Sequence, residues 1–160
     1  MSTREYFAKR LKQDLPGFLK VIRALPADRL DYRPHEKNTS AGALAQQLAI
    51  EMDGVANCLV TGDADYSPSD EKLSPEQTAA AFEKSANLAL ERLPNTSDER
   101  WTGPGRFIYN GTPVWETTVE ELCWGFFLDL VHHRGQLTAY IRPMGGKVPG
   151  VYGPSADEGM

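Results

Sequence analysis

Cysteine is scarce: Cys58 and Cys123 stand alone in 160 residues, and neither falls in a CxxC or other metal-type spacing. That excludes a disulfide-stapled scaffold and a thiolate zinc site, and reads both as buried thiols. Long hydrophobic runs are missing too, since no window approaches the roughly eighteen consecutive apolar residues of a membrane span. The start of the chain, Met1 to Tyr6, lacks the basic and apolar stretches of a secretory signal, so a cytoplasmic location is expected. Basic residues are outnumbered, 17 Lys and Arg against 22 Asp and Glu, giving a formal charge of −5. Without a concentrated positive face the chain is a poor partner for nucleic acid. What remains, 41% hydrophobic and 24% charged, is the composition of a globular protein, and its length suits a single domain over residues 1–160.

Four amphipathic segments organise the chain. In the first, Phe7, Leu11, Leu15, Phe18, Leu19, Ile22 and Leu25 lie on one helical face, with Pro16 and Gly17 predicting a kink near Leu15 within one element. Residues 26–39 read as an ordered loop. The second helix should run from Ser40 through Leu44, Leu48, Met52, Val55 and Leu59 to Thr61 and Gly62. After a polar, Asp- and Ser-rich loop, Ser74, Pro75 and Gln77 form the start of a third helix that ends at Pro94 and Asn95. Asn110-Gly111 between aromatic, β-branched runs predicts a small hairpin. Thr118 and Glu121 then form a capping box opening a fourth helix that reaches about Met144, and Lys147 to Met160 is too rich in Gly and Pro to be helical. The expected fold class is all-α: an antiparallel four-helix bundle with a long crossover connection and a small β-hairpin insertion before the last helix.

Polar residues at core positions point to chemistry, because an unpartnered polar group there costs about 2 to 7 kcal/mol. On the fourth helix Leu122, Phe126, Asp129, His133, Gln136, Leu137 and Tyr140 fall in one narrow sector, and Asp129 and His133 are one turn apart. On the second, Glu51 lies inside the apolar stripe and Gln47 at its edge. Packing these helices together would gather Gln47, Glu51, Asp129 and His133 around an interior point, a donor set suited to a divalent metal ion with a position left for substrate. The same four side chains also admit a metal-free, hydrogen-bonded network. His132 points elsewhere, His35 reads as a surface or capping group, and Tyr6, Trp101 and Trp115 read as packing residues.

The stretch from Asp129 through His132, His133, Arg134 and Gln136, followed by Tyr140 to Gly146 and Lys147 to Asp157, closely resembles the DinB-like superfamily, also called the DinB/YfiT metalloenzymes. The likeness extends upstream to Arg33 through Leu44. It implies a dimeric four-helix bundle with a long crossover and a pocket where three histidines bind Ni²⁺ or Zn²⁺. Those ligand positions correspond here to Gln47, Asp129 and His133, so two of three have changed. Glu51 is the candidate substitute for the weakly binding amide, which would shift preference toward Mn²⁺ or Fe²⁺ while Zn²⁺ and Ni²⁺ stay open, as does a site holding no metal. His132, Arg134 and Gln136 are expected to brace the helix and the C-terminal tail.

The resemblance implies activation of a low-molecular-weight thiol for transfer to an electrophilic small molecule, with metal-dependent hydrolysis at the same position as a competing reaction. A different class of function, a small-molecule-binding or stress-associated bundle without catalytic metal, follows from the changes at Gln47 and Asp129.

Overall fold

The computed structural model describes residues 1–158; the last two positions of the predicted non-helical tail lie outside the described residues. Four long helices carry the core: α1 (Thr3–Arg23), α2 (Ala41–Thr61), α3 (Pro75–Arg92) and α5 (Val119–Ile141). α2 packs against both α3 and α5, and α1 against the same two. Their starts follow local chemistry. Ser40 accepts from the Ala43 amide, Ser74 forms a reciprocal capping box with Gln77 ahead of Pro75, and Thr118 accepts from the Glu121 amide. α1 runs through Pro16 as one element. Phe7, Phe18 and Phe82 fill the centre with Leu44, Leu48 and Leu130, all fully buried.

The all-α expectation is overturned by what surrounds these helices. A strand β1 (Asp63–Tyr66) and a short helix α4 (Asp98–Thr102) join the hairpin strands β2 (Pro104–Tyr109) and β3 (Thr112–Thr118), giving, among the described residues, five α-helices and a mixed three-stranded sheet in the order β1-β2-β3. The fold therefore contains an α/β layer, not a helical bundle with a hairpin alone. The hairpin turns at Asn110 and Gly111, whose φ values of 48° and 77° suit the tight turn that their sequence predicts. β1 pairs in parallel with β2, from Asp63 opposite Arg106 to Tyr66 opposite Tyr109. Its sequence, Asp-Ala-Asp-Tyr, has little β propensity. Tertiary contacts hold it instead: Asp63 takes both a 2.8 Å and a 2.7 Å bond from Arg106, and Ala64 is fully buried. Gly54 on α2 makes room for the strand, since a Cβ there would stand 3.2 Å from the Asp65 carbonyl oxygen.

Arg134 ties the C-terminal tail to the helices. Its guanidinium lies 4.4 Å from the centre of the Phe18 ring and 3.3 Å from Asp14 Oδ1, and donates to the hydroxyl of Tyr152, which in turn donates to Asp14. Arg10 completes the pairing of Asp14 at 2.7 Å. Both Asp14 and Arg134 are 3% exposed, so removing one charge strands the other. Asp14→Ala is expected to lower stability by about 3 to 5 kcal/mol, read as a lower urea midpoint at unchanged slope.

Candidate functional site

Two helical pairs, each spaced one turn apart, meet across the α2–α5 contact. Gln47 and Glu51 come from α2, Asp129 and His133 from α5, and their polar ends converge. The Gln47 side-chain nitrogen donates to Glu51 Oε1 at 2.7 Å and lies 2.9 Å from His133 Nε2. An amide nitrogen only donates, so His133 Nε2 must offer its lone pair, and its proton sits on Nδ1. There Gln136 Oε1 receives it at 3.0 Å. Asp129 Oδ2 stands 3.3 Å from the same Nε2.

Three lone-pair donors thus face one point. Glu51, Asp129 and His133 each present a ligand atom, all within 4.8 Å of one another, a spacing that small side-chain shifts would have to tighten for one divalent cation with bonds of about 2.0 to 2.2 Å. Glu51 is 3% exposed, and its Oε2 meets no hydrogen-bond partner among the described residues. Burial pushes its carboxyl up to about 8; the Gln47 amide opposes the rise and the neighbouring Asp129 charge adds to it. Holding its proton, Glu51 can close the group by bonding to Asp129, and a divalent cation can take that proton's place. Gln47 joins this group through its nitrogen, as a donor to two of the three.

The surroundings are less enclosed than the sequence suggests. The Asp129 side chain is 47% exposed and that of His133 16%, because the group lies at the margin of the helices and not in a dry centre. It borders a cleft of about 480 Å³ whose lining includes Gln47, Glu51 and Asp129, with Tyr66, Phe107, Tyr109 and Trp115 supplied by the sheet. Trp115, expected to pack, is 47% exposed here. Trp101 does pack, 3% exposed with its indole donating to Thr3, and Tyr6 stacks on Trp124. The aromatic wall is what sequence reasoning missed. Its one signal was the alternation of Phe107 and Tyr109 along a strand, which gives a face but not what that face meets.

The other polar residues divide between bracing and surface. His132 is exposed, and exposed His35 accepts the Lys37 amide proton in its own loop. Arg134 holds α1 and the tail, while Gln136 braces His133. Cys58 and Cys123 are buried with sulfurs 3.5 Å apart; that hydrogen bond and burial hold the Cys123 thiol well above its ordinary pKa, unlike a ready nucleophile.

Residues 1–159 match the sequence profile of the DinB family. The chain belongs to the DinB family. It is 24% identical over 162 residues to YrdA, an uncharacterized protein of Bacillus subtilis (strain 168), covering 98% of this chain and 92% of that one. Two solved structures share the fold. A DinB-like protein from Bacillus cereus ATCC 10987 superposes with a TM-score of 0.72 at 20% identity, covering 92% of this chain and 97% of its own. The DinB-like YjoA of Bacillus subtilis gives 0.67 at 18%, covering 88% and 92%. In this DinB chain Gln47, Asp129 and His133 do converge, and Glu51 occupies the remaining buried corner. Among the described residues no helix is long and apolar enough to cross a membrane.

The raised Glu51 pKa makes stability depend on pH. The folded protein keeps this proton up to about pH 8, whereas the unfolded chain releases it near the ordinary value of 4.5. Between those limits the folded state binds more protons, so stability falls as pH rises and levels off above the upper one. Chemical denaturation of chelator-treated protein should show a decline of at most about 1.4 kcal/mol per pH unit, which Glu51→Gln should remove.

Proposed function

We propose that the protein is a divalent-metal-dependent enzyme acting on a small molecule bound in the aromatic cleft, with Glu51, Asp129 and His133 as ligands. The supporting observation is the orphaned Glu51 oxygen facing the Asp129 carboxylate and the lone pair of His133. Bound there, a cation supplies Lewis acidity that lowers the pKa of a coordinated thiol or water. The chain's own residues do the rest. Gln136 fixes the His133 tautomer so that Nε2 stays an acceptor, as the outer partners of metal-binding histidines do. Gln47 holds the Glu51 carboxylate through one N–H bond, and its other, to the single lone pair of His133 Nε2, would have to give way when that lone pair binds a cation. Asp129, the most exposed of the three, borders the cleft and so stands nearest to an incoming substrate; where it is not a ligand it can accept a proton from the nucleophile.

Membership of the DinB family favours transfer of a low-molecular-weight thiol to an electrophile over hydrolysis. The preference between Mn²⁺ or Fe²⁺ and Zn²⁺ or Ni²⁺ follows from the donor set: two carboxylates and one imidazole are harder than three imidazoles.

Elemental analysis of untagged protein tests the assignment. One equivalent of a divalent cation is expected, with Asp129→Ala and His133→Ala losing it and Gln136→Ala weakening its retention about 10- to 100-fold. Protein that carries no cation and takes up none on dialysis would overturn the reading. With the loaded protein and an electrophile, product should form only when a bacillithiol-, mycothiol- or glutathione-type thiol is supplied; turnover without thiol would assign hydrolysis instead.

A further inference from the structure

The cleft beside the triad has a definite chemical character. Phe107 and Tyr109 lie two apart on β2 and share a face. Tyr66 pairs with Tyr109 in parallel register and Trp115 pairs with Phe107 across the hairpin, so the sheet turns four rings toward α2 and α5. Tyr66 and Tyr109 stack with centroids 5.9 Å apart, and Phe107 meets Phe126 of α5 edge-on at 5.3 Å. Trp115 and Tyr109 are 47% and 44% exposed, leaving ring faces free. The Trp115 ring lies beside Gly125, where a Cβ would make ordinary van der Waals contact with the indole at 3.7 Å and a longer side chain would enter the cleft.

Charge along the lining has one sign. Glu51 and Asp129 form the floor, and among the described residues lining the cleft there is no Lys or Arg. Arg106, next to Phe107 on β2, belongs to the opposite face of the strand and is engaged by Asp63. An anionic substituent would find no counter-ion on these walls. A positively charged or nitrogen-donor group would find the Asp129 carboxylate, the accepting oxygen of Glu51 and exposed aromatic faces, the pairing that recognises organic cations elsewhere.

We propose that the cleft binds a small aralkylamine, with its ring against Trp115 and Tyr109 and its nitrogen at the floor beside Asp129 and Glu51. The proposal rests on the triad being the working end of the site, and the nitrogen suits that end in both states. As an ammonium it faces the Asp129 carboxylate and the unpartnered Glu51 oxygen of the metal-free protein; as a free amine it can donate its lone pair to a cation held by the triad. The walls thereby select the flat, apolar part of the ligand, and the floor selects against carboxylate-bearing analogues.

The test uses three matched probes, 2-naphthylmethylamine, 2-naphthylmethanol and 2-naphthoate, titrated by calorimetry into the full-length protein after chelator treatment. The amine should bind about tenfold or more tightly than the carboxylate, with the alcohol between them. Trp115→Ala should weaken the amine about fivefold or more. Gly125→Leu, which projects a side chain into the cleft while improving helix propensity, should abolish binding at an unchanged or raised melting temperature. Equal affinity for amine and carboxylate, or amine binding indifferent to both substitutions, would overturn the proposal. Ni²⁺ uptake on the same samples separates the two readings. Amine selectivity without cation uptake leaves this proposal standing and removes the metal; cation uptake without amine selectivity does the reverse.

Discussion

A buried Glu51 oxygen that receives no hydrogen bond among the described residues organises the candidate site. Glu51 sits on the most enclosed helix of the protein, where sheet, α3 and α5 all press on α2, and only one of its oxygens receives a hydrogen bond. In a low-dielectric setting such a group either keeps its proton or acquires a cation. Either solution is open here, because Asp129 can accept the Glu51 proton and, with His133, can also supply ligand atoms at the same place. Among the described residues Gln47 supplies the N–H bonds directed into the group, and it cannot satisfy all three acceptors.

Helical spacing explains how so few residues achieve this. Gln47 and Glu51 are four apart, as are Asp129 and His133, so two one-turn pairs on packed helices suffice to form a four-cornered cluster. Gln136, three residues beyond His133, belongs to the same sector and takes the proton from the far side of the ring. The buried Arg134 turns instead toward α1, where Asp14 and Tyr152 hold it. Neighbours in sequence thus serve opposite faces of α5: one side fixes the histidine, the other fixes the C-terminal tail.

The sheet gives the cluster one wall of its cleft. Without β1 the hairpin would be a two-stranded ribbon of marginal stability. With it, Tyr66 and Tyr109 stack and the sheet stands as a wall beside the margin of α2 and α5. Two structural details make that wall fit. Gly54 admits the backbone of β1 against α2, and Gly125 presents no side chain to the Trp115 ring.

The long helices were legible in the residues themselves, because caps such as Ser40, Ser74 and Thr118 and the 3.6-residue recurrence of Leu and Phe act within a few positions of one another. The Asn110-Gly111 turn was legible for the same reason, and so was the shared direction of Asp129 and His133. Strand β1 was not. Asp63 to Tyr66 becomes a strand through a partner some forty residues away, and neither parallel pairing nor an Arg106 ion pair leaves a local pattern. Trp115 could be placed on a strand face but not assigned to solvent or core, since that depends on where the sheet docks. Sequence alone therefore settled which side chains share a helix face, which is a matter of backbone period. Only the tertiary structure decided that Glu51 is sealed while Asp129 is open, and that aromatic rings stand over them, because burial is a property of what packs against a face and not of the face itself.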